Sequence, residues 1–411
     1  MKTSKPLLCV ASLLALSAPA AFSLGFRIAD QNAEATARGE AFAATADNPS
    51  AVYFNPAGIT QLEGTRALLG SYMVTLREKV DPAAPGERSF TNTNHELQFV
   101  PTFFVTTKPK GSPFAFGLGI YAPYGLGMEY PDDTPFRTVA RKGKILYVAI
   151  NPVIAWKIHD TLSIAAGPSV NYGSAELQNG VLAEGDTFKF KGDGVSYSFS
   201  AGVKWDPHRM HHFGITYHSA AVIEFSGHTT LHTDPFTVAT PFGPFPVAGI
   251  DRREDADARV HIPQNIVFGY SFTPTPDWNF EFNADWTDWN ALNTVTIHQQ
   301  RSADIALPFN WQSSWFWEFG ITKKFSHGWQ ASVGYIWSEN SVPDESFNPI
   351  VPDSNRHVLS AGFGQKREHF NWNIAYQWAY GPTRTISRGT SFDGDYRAHG
   401  NALNLTLGYD F

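Results

Sequence analysis

Large apolar side chains alternate with polar or small ones along many segments of the chain. In FNWNIAYQWAY (370–380), every even position is large and apolar, and every odd position is polar or small. A period of two is typical of a β-strand with one apolar face and one polar face. The segments WNFEFNADW (278–286) and ALNLTLGYDF (402–411) repeat the pattern. The pattern therefore predicts an all-β fold.

Fourteen strands are expected after residue 64, and tight connections such as 159–160 and 326–327 alternate with long ones. The long connections are expected near 81–92, 130–143, 178–193, 228–256, 300–309, 341–354 and 382–396. Short turns on one side and long loops on the other are typical of transmembrane β-barrels. An even number of antiparallel strands closes such a barrel, so that no unpaired edge meets lipid. We therefore expect an all-β transmembrane barrel with apolar side chains facing lipid and polar ones facing a lumen.

A soluble β-sandwich is the alternative, but its strands average about 5–6 residues. The segments here are longer and match the roughly 9–11 residues that a tilted strand needs to cross a bilayer. No stretch of 18 consecutive apolar residues follows the N-terminal region, so a helical span is not expected.

The N-terminal residues have the pattern of an export signal. Two lysines are followed by an apolar run over 7–16, and Ala21-Phe22-Ser23 fits a cleavage site. Residues 1–23 are therefore expected to be a cleaved signal peptide, and Cys9 is the single cysteine, so the mature chain has none. The net charge of −7 argues against nucleic acid as a partner.

Residues 24–64 differ from the rest, because they are rich in alanine and small polar residues with short helix-like stretches. Such a segment is too short to bury a core of its own. We expect it to lie inside the barrel as a partly helical hatch, with residues 65–411 forming the barrel.

Distinctive motifs occur at Leu24-Gly25-Phe26, in AFAATADNPSAVYFNPAGI with Asn55-Pro56-Ala57, and in segments 115–131, 261–272, 285–292 and 341–364. Together these motifs resemble the FadL family of outer-membrane transporters, which carry long-chain fatty acids and other hydrophobic compounds. The resemblance implies a monomeric barrel without a cofactor. It also implies that hydrophobic compounds leave sideways through a gap in the wall, and that Leu24, Gly25 and Phe26 lie near the substrate pocket.

A gap in the wall requires a strand that fails to pair. Pro123 and Gly125 lie in the middle of the third strand, where proline lacks a ladder donor and glycine tolerates a kink. Pro152 and Pro168 are also mid-strand, so the residues alone leave three positions open. The resemblance implies that the kink lies at Pro123, Tyr124 and Gly125.

Two further motifs have two interpretations each. Asn55 followed by Pro56 and Ala57 is a good start for a helix, and its amide could also bond backbone groups freed by the kink. The long loop 228–256 carries Phe236, Phe242 and Phe245, which either capture hydrophobic compounds or pack on the loop itself.

The remaining motifs do not indicate catalysis or a metal site. The chain has no G-x-S-x-G motif, and His208, His211 and His212 fall at a tight turn without cysteine or clustered acids. The terminal Phe411 ends an alternating strand and resembles the signal read by the barrel assembly machinery. Outer-membrane lipids and lipopolysaccharide are the other expected partners, and the charged residues 251–257 either contact lipopolysaccharide or face solvent.

We expect passive transport of hydrophobic small molecules. The alternative is a general diffusion porin or a surface-binding barrel without a lateral route. The residues alone do not distinguish fatty acids from aromatic hydrocarbons as the substrate.

Overall fold

The computed structural model describes residues 25–93, 97–241 and 243–411 of the chain. The expected signal peptide, Leu24 and Phe242 lie outside these ranges. Within them, fourteen antiparallel strands form a closed barrel, as predicted from the alternation. Strand β14 closes the barrel against β1 in a continuous register from Arg66 paired with Asp410 to Pro82 paired with Gly394.

Ten strands are continuous, and each of the other four consists of two segments. The continuous strands are β1 (Gly64–Pro82), β2 (Gln98–Lys108), β3 (Phe114–Glu129), β4 (Lys142–His159), β5 (Leu162–Gly180), β6 (Thr187–His208), β11 (Trp329–Ser338), β12 (Arg356–Lys366), β13 (Phe370–Tyr380) and β14 (Gly394–Asp410). The divided strands are β7 (His211–His218 and Ala221–Thr233), β8 (Ile250–Ile262 and Asn265–Thr275), β9 (Trp278–Thr287 and Thr294–Gln299) and β10 (Ile305–Pro308 and Ser314–Lys324).

The two faces of the strands follow the alternation. In β13, Trp378 is 41% exposed, whereas its neighbour Gln377 is 1% exposed on the lumen side. The same holds along β9 and β14, where the large apolar residues lie outside and the polar ones lie inside. Large apolar side chains are exposed all around the outer wall, which is the surface that a barrel presents to lipid.

Several of the predicted long loops are wrong in extent, and one of them, 300–309, contains the first segment of β10, Ile305–Pro308. The segment 178–193 was expected to be a loop, yet β5 continues to Gly180 and β6 begins at Thr187. The segment 228–256 contains the ends of β7 and β8 and a hairpin, Phe236–Thr240 with Gly243–Val247. These strands continue because β6 pairs with β5 on one side and with β7 on the other beyond the expected ends.

The interruptions of β7, β8, β9 and β10 were not predicted, and they lie at one level of the barrel. Asn265 pairs with His218 in β7 and with Thr287 in β9, so the break before Asn265 lies beside the breaks that follow His218 and Thr287. Residues 288–293 form a turn containing a 3-10 helix, Trp289–Ala291, and residues 309–313 interrupt β10 beside it. A band of irregular backbone therefore crosses four neighbouring strands.

The hatch lies inside the barrel, and its first residues contact this band. It contains α1 (Ala33–Ala37), α2 (Ala51–Phe54) and a 3-10 helix (Pro56–Gln61). Asn32 caps α1, because its side chain accepts hydrogen bonds from the amides of Glu34 and Ala35. No helix among the described residues is long and apolar enough to cross a membrane.

Glycines on the inner wall let the hatch backbone approach closely. A Cβ at Gly334 would lie 2.0 Å from the amide nitrogen of Gly39, and one at Gly214 would lie 2.1 Å from the carbonyl oxygen of Ala43. Both distances are far below a van der Waals contact, so no other residue fits there without displacing the hatch.

The outward orientation of the apolar face predicts the effect of a charge at mid-strand. Val333 lies on the outer face midway along β11 and is 54% exposed. Val333→Arg is expected to lower the free energy of unfolding by about 2–4 kcal/mol, because a guanidinium is costly in the hydrocarbon region. Urea titration in lipid bilayers measures it.

Leu182→Arg is the matched control, since Leu182 is exposed in the loop between β5 and β6. It is expected to change the unfolding free energy by less than about 0.5 kcal/mol. Equal effects of the two substitutions would show that the outer face of β11 does not contact lipid.

Candidate functional site: a kinked strand, an apolar cavity and the hatch

Strand β3 leaves its neighbour β2 partway along its length. The ladder between them runs from Phe103 paired with Ile120 to Thr107 paired with Phe116. Beyond it, the register of β3 against β4 shifts between Tyr121 and Tyr124, so that Ala122 and Pro123 form an irregularity. We call this irregularity the kink of β3, and a lateral opening at Pro123, Tyr124 and Gly125 stays a prediction.

The start of the hatch pairs with the kinked part of β3. The amide of Ile28 donates to the carbonyl of Pro123, and the amide of Gly125 donates to the carbonyl of Phe26, both at 2.8 Å. Arg27 and Tyr124 form an antiparallel bridge between these two bonds. The structure thus brings Pro123, Tyr124 and Gly125 together with Phe26, and the hatch bonds backbone that the kink turns inward.

The interruption band lies across the lumen from the kink. The Tyr124 hydroxyl donates to the carbonyl of Pro263 in the break of β8, at 3.0 Å. The ring of Phe26 packs against Trp289 in the break of β9 and Trp311 in the break of β10, with centroids 5.0 and 5.9 Å apart. The first hatch residues are therefore held between two irregular parts of the wall.

Gly25 is required by this packing. Its φ of 62° lies in the left-handed region, which favours glycine. A Cβ here would lie 2.6 Å from the ring of Trp289 and 2.7 Å from that of Trp311. The closeness of both indoles explains the glycine directly before Phe26.

An apolar cavity of about 130 Å³ opens beside Phe26. Its walls are apolar side chains from β4 to β10 and from the loop between β11 and β12, including Phe190, Phe225, Ile297, Trp311 and Ile350. Two charged residues, Lys144 and Glu176, also border it. Their strand neighbours Ile145 and Ala175 face inward, so Lys144 and Glu176 lie on the outer face of the wall. We call this space the apolar cavity.

A smaller space beside Arg27 is lined largely by polar groups. It measures about 30 Å³ and is lined by Arg27, the kink residues Pro123 and Tyr124, and hydroxyl and amide side chains such as Tyr121 and Asn151. We call it the polar chamber. It has room for about one water molecule.

Buried ion pairs attach the hatch to β9. Arg27 donates to the carboxylate of Asp285 at 2.7 Å and to the hydroxyl of Thr287 at 2.9 Å. Arg38 pairs with Glu281 at 3.3 Å, and the same carboxylate accepts the amides of Ala44 and Thr45 at 2.8 and 3.0 Å. Losing one partner of such a pair leaves a buried charge uncompensated, which costs about 3–5 kcal/mol.

Asn55 connects the hatch to a different strand from the one expected. Its side-chain oxygen accepts the amide of Ala57 and so caps the 3-10 helix, with Pro56 in the first turn. Its side-chain nitrogen donates to the carbonyl of Val203 in β6 at 3.0 Å and to that of Ala43 at 2.8 Å. The helix start is therefore present, and a role of Asn55 at the kink stays a prediction.

The loop hairpin exposes aromatic residues. Phe245 is 63% exposed and Val238 is 42% exposed on the two strands of the hairpin. Phe236 is partly buried where the hairpin begins. Phe242 falls outside the described residues, so the aromatic surface is described for Phe236 and Phe245.

The neighbouring loops are joined through Asp132, which lies between β3 and β4. Its carboxylate pairs with Arg137 at 3.0 Å and Arg141 at 3.2 Å and accepts the amide of Gly185 at 2.8 Å. Partial burial would raise the pKa of Asp132, but these hydrogen bonds and charges hold it below its ordinary value. The loops on this side are therefore bonded to one another at neutral pH.

Sequence reasoning missed Trp289, Trp311 and the Arg27–Asp285 pair. The signal for the two tryptophans was the polar and small residues around them in DWNALN (288–293) and FNWQSS (309–314), which interrupt the alternation. The ion pair joins residues that are remote in sequence, and no local pattern indicates it.

A closed antiparallel barrel with an apolar outer face and a hatch in its lumen defines the molecule as an outer-membrane β-barrel. The family model for outer membrane protein transport proteins (OMPP1/FadL/TodX) matches residues 13–411. The chain therefore belongs to this family.

Individual relatives are distant in sequence and similar in fold. A "Long-chain fatty acid transport protein" of Escherichia coli O6:H1 (strain CFT073) is 20% identical over 97% of this chain and 92% of its own length. The solved structure of a Pseudomonas aeruginosa FadL homologue superposes with a TM-score of 0.81 at 20% identity, covering 94% of this chain and 100% of that one. The Pseudomonas putida toluene transporter TodX gives a TM-score of 0.72 at 15% identity, covering 94% and 99%.

The position of Asn55 predicts that its amide matters for transport and not for barrel assembly. Asn55→Ala removes the helix cap and the bonds to Val203 and Ala43, which is expected to weaken hatch docking by about 1–2 kcal/mol. Uptake of a hydrophobic compound by cells should fall, while the protein keeps its heat-modifiable gel mobility.

Asn290→Ala is the control, because this asparagine is exposed outside the hatch, where its amide donates to Ser313. Unchanged uptake by well-folded Asn55→Ala protein would contradict the role of Asn55.

Proposed function

We propose that the protein carries hydrophobic small molecules passively across the outer membrane. The compound enters the apolar cavity from the loop side, passes Phe26 and leaves sideways into the membrane between β2 and β3. The observation that carries this proposal is the early end of the β2–β3 ladder, at the place where β3 bends inward onto residues 26–28.

The physical reason for a sideways exit lies in the solute itself. Transfer of a hydrophobic compound from water into hydrocarbon lowers its free energy, in proportion to the apolar area removed from water. A watery path to the periplasm would forfeit this gain. An exit into the bilayer retains it and needs no cofactor and no catalytic step.

The names of the relatives support hydrophobic compounds as the cargo, since they include a long-chain fatty acid transport protein and a toluene transporter. A general diffusion porin is less consistent with the hatch, because its residues are buried against the wall along most of 25–60. In an open aqueous pore, these hatch residues would have no role.

The route predicts that tethering β2 to β3 stops uptake. The mature chain lacks cysteine, so Pro101→Cys with Ala122→Cys introduces one pair of thiols above the last paired residues. A thiol cross-linker that joins them is expected to lower uptake of a hydrophobic compound at least about tenfold, and a cleavable linker should restore uptake on reduction.

The matched control places the tether where the strands already pair. Val105→Cys with Leu118→Cys joins two residues that face each other in the β2–β3 ladder. This tether should leave uptake unchanged. Full uptake by cells whose 101–122 pair is cross-linked would overturn the lateral route.

We further propose that the hairpin residues Phe236 and Phe245, with Phe242, capture solute before it enters the cavity. The exposure of Phe245 supports this role, because single large aromatics on a loop offer apolar area to a passing solute. Deleting residues 235–248 is expected to weaken binding of a fluorescent hydrophobic probe several-fold. A deletion with wild-type affinity would favour a loop that packs only on itself.

The other expected features complete the proposal. Residues 1–23 direct export of the chain and are then cleaved. Residues 24–64 act as the hatch, and residues 65–411 form the barrel. Assembly uses the C-terminal Phe411, the barrel works as a monomer among outer-membrane lipids and lipopolysaccharide, and it is a transport channel rather than an enzyme.

A further inference from the structure

We propose that the outer wall carries a binding site for one anionic phospholipid of the inner leaflet, with an acyl chain in a groove across β8 to β12 and the phosphate at Lys323. The site lies on the lipid-facing side of the barrel, so it does not depend on the cargo or on the route of transport. It rests on the shape of the wall, the surroundings of Lys323 and the charge of the short connections.

The outer wall is concave across β8 to β12. A space of about 750 Å³ lies there against outward-facing apolar side chains, including Phe272, Phe280, Phe319, Ile321, Val333 and Leu359. The backbone at Gly320 and Gly334 borders the same space. We call this space the outer groove.

The outer groove attracts an acyl chain through contact. Lipid tails are as apolar as the wall, so the hydrophobic effect does not favour this surface over any other part of the barrel. A concave surface touches a chain on several sides at once, and each added contact contributes dispersion attraction. The groove therefore holds a chain, and selectivity among lipids has to come from the headgroup.

A lysine lies at the short-turn end of the outer groove. Ile321 lines the groove, and Lys323 is the next residue of β10 on the same face, about 7 Å nearer the end of the strand. Strand β10 ends one residue later, at Lys324. A lysine at this level keeps its methylene groups on the apolar wall and places its ammonium among the headgroups.

Aromatic rings connect Lys323 to the groove. Its Nζ lies 5.0 Å from the ring centroid of Trp278, which stacks on Phe280 with centroids 5.9 Å apart. Phe280 in turn lines the outer groove. Because tryptophan is enriched at the membrane–water interface, Trp278 marks the headgroup level on this side. The ammonium is therefore located where the phosphate of a lipid lies when its chain occupies the groove.

The ion pair that Lys323 makes leaves it able to bind an anion. Its Nζ lies 3.1 Å from the carboxylate of Asp277, whose side chain is 60% exposed in the turn. Exposed ion pairs of this kind contribute little to stability. An ammonium has three hydrogens to donate, so a phosphate can accept another of them while Asp277 turns toward water.

The opposite edge of the groove supplies further polar groups. Tyr270 and Phe272 line it. The Tyr270 hydroxyl lies 2.8 Å from Nδ1 of His211, and the His211 ring stacks on Phe272 with centroids 5.2 Å apart. Arg209 is exposed in the adjoining turn between β6 and β7. These side chains can bond the hydroxyl groups of a polar headgroup.

The charge of the short connections favours an anionic headgroup. Taken with two strand residues on either side, the six short connections contain seven lysines and arginines but three acids, whereas the whole chain has 31 basic and 38 acidic residues. Short turns of such barrels face the periplasm and therefore the inner leaflet. Clustered basic residues beside a membrane attract anionic lipids. The segments counted are 107–115, 158–163, 207–212, 274–279, 323–330 and 365–371.

Native mass spectrometry of the delipidated full-length protein tests the site. The protein is titrated with phosphatidylglycerol and with phosphatidylcholine that carry the same acyl chains, so that only the headgroup differs. The first phosphatidylglycerol is expected to bind at least about 10-fold more tightly than the first phosphatidylcholine.

Two adjacent lysines of β10 provide a matched pair of variants. Lys323→Gln removes the outward ammonium and should reduce the preference for phosphatidylglycerol to less than about threefold. Lys324→Gln removes the same charge from the other face, where Lys324 borders a space between the wall and the hatch residues Glu34 and Asp47. It should keep the preference within about twofold of wild type.

Filling the groove tests the place of the acyl chain. Leu359 lines the groove, so Leu359→Trp puts a larger apolar ring into it and should weaken phosphatidylglycerol binding at least about fivefold. Leu405→Trp makes the same exchange on the outer face of β14, away from the groove. This control should bind the lipid as the wild type does.

Equal affinity for the two lipids would overturn the lipid site. So would a preference that survives Lys323→Gln, or unchanged binding by Leu359→Trp, in protein with heat-modifiable gel mobility. Dimers that disappear in Leu359→Trp and persist in Leu405→Trp would assign the groove to a second copy of the chain and would also overturn it. A preference lost with Lys323 and kept without Lys324, together with weaker binding by Leu359→Trp, supports the site. Transport is tested separately by the 101–122 tether, so failure of the lipid site leaves the proposed function standing.

Discussion

Backbone hydrogen bonding in a medium without water is the constraint on which this structure depends. A barrel wall satisfies it by closing, and β14 pairs with β1 along the whole of β14, from Gly394 to Asp410. The kink of β3 breaks the rule locally, because Pro123 has no amide hydrogen and the strand turns away from β2. Residues 26–28 restore the bonds from inside the barrel, so the hatch is part of the wall's own hydrogen-bond network.

The same dependence explains how tightly the hatch is held. Glycines on the inner wall bring its backbone against the strands, and the carboxylates of Asp285 and Glu281 neutralise its two arginines. Because these charges are buried, either partner alone would be strongly destabilising. The hatch is therefore fixed firmly along β9, while its first residues lie at the kink, where the wall is least regular.

Much of the fold could be predicted from the sequence because strand alternation is a local signal. The faces of 370–380 and 402–411, the strand number and the interior hatch follow from the period of two and from the composition of 24–64. The sequence pattern does not distinguish Pro123 from Pro152 and Pro168 as the site of the kink, because each proline lacks a ladder donor. Only the family resemblance favours Pro123.

The rest depends on pairing between residues that are remote in sequence. β6 extends into the expected loop because it pairs there with β7. The bond from Asn55 to Val203 could be predicted only if the strand beside the hatch were known. The breaks in β7 to β10 are aligned by their registers, which no single segment encodes.

Those aligned breaks have a consequence for how such a protein can change. Phe309 and Trp311 line the cavity from an interruption of β10, and Trp289 packs against Trp311, so these residues influence its shape without belonging to the ladders that cross the bilayer. Exchanging side chains in these turns would alter which compound fits, while the barrel of strands stays closed. Although most of the cavity wall belongs to the strands, this part of it can change in evolution without disturbing the hydrogen bonds that close the barrel.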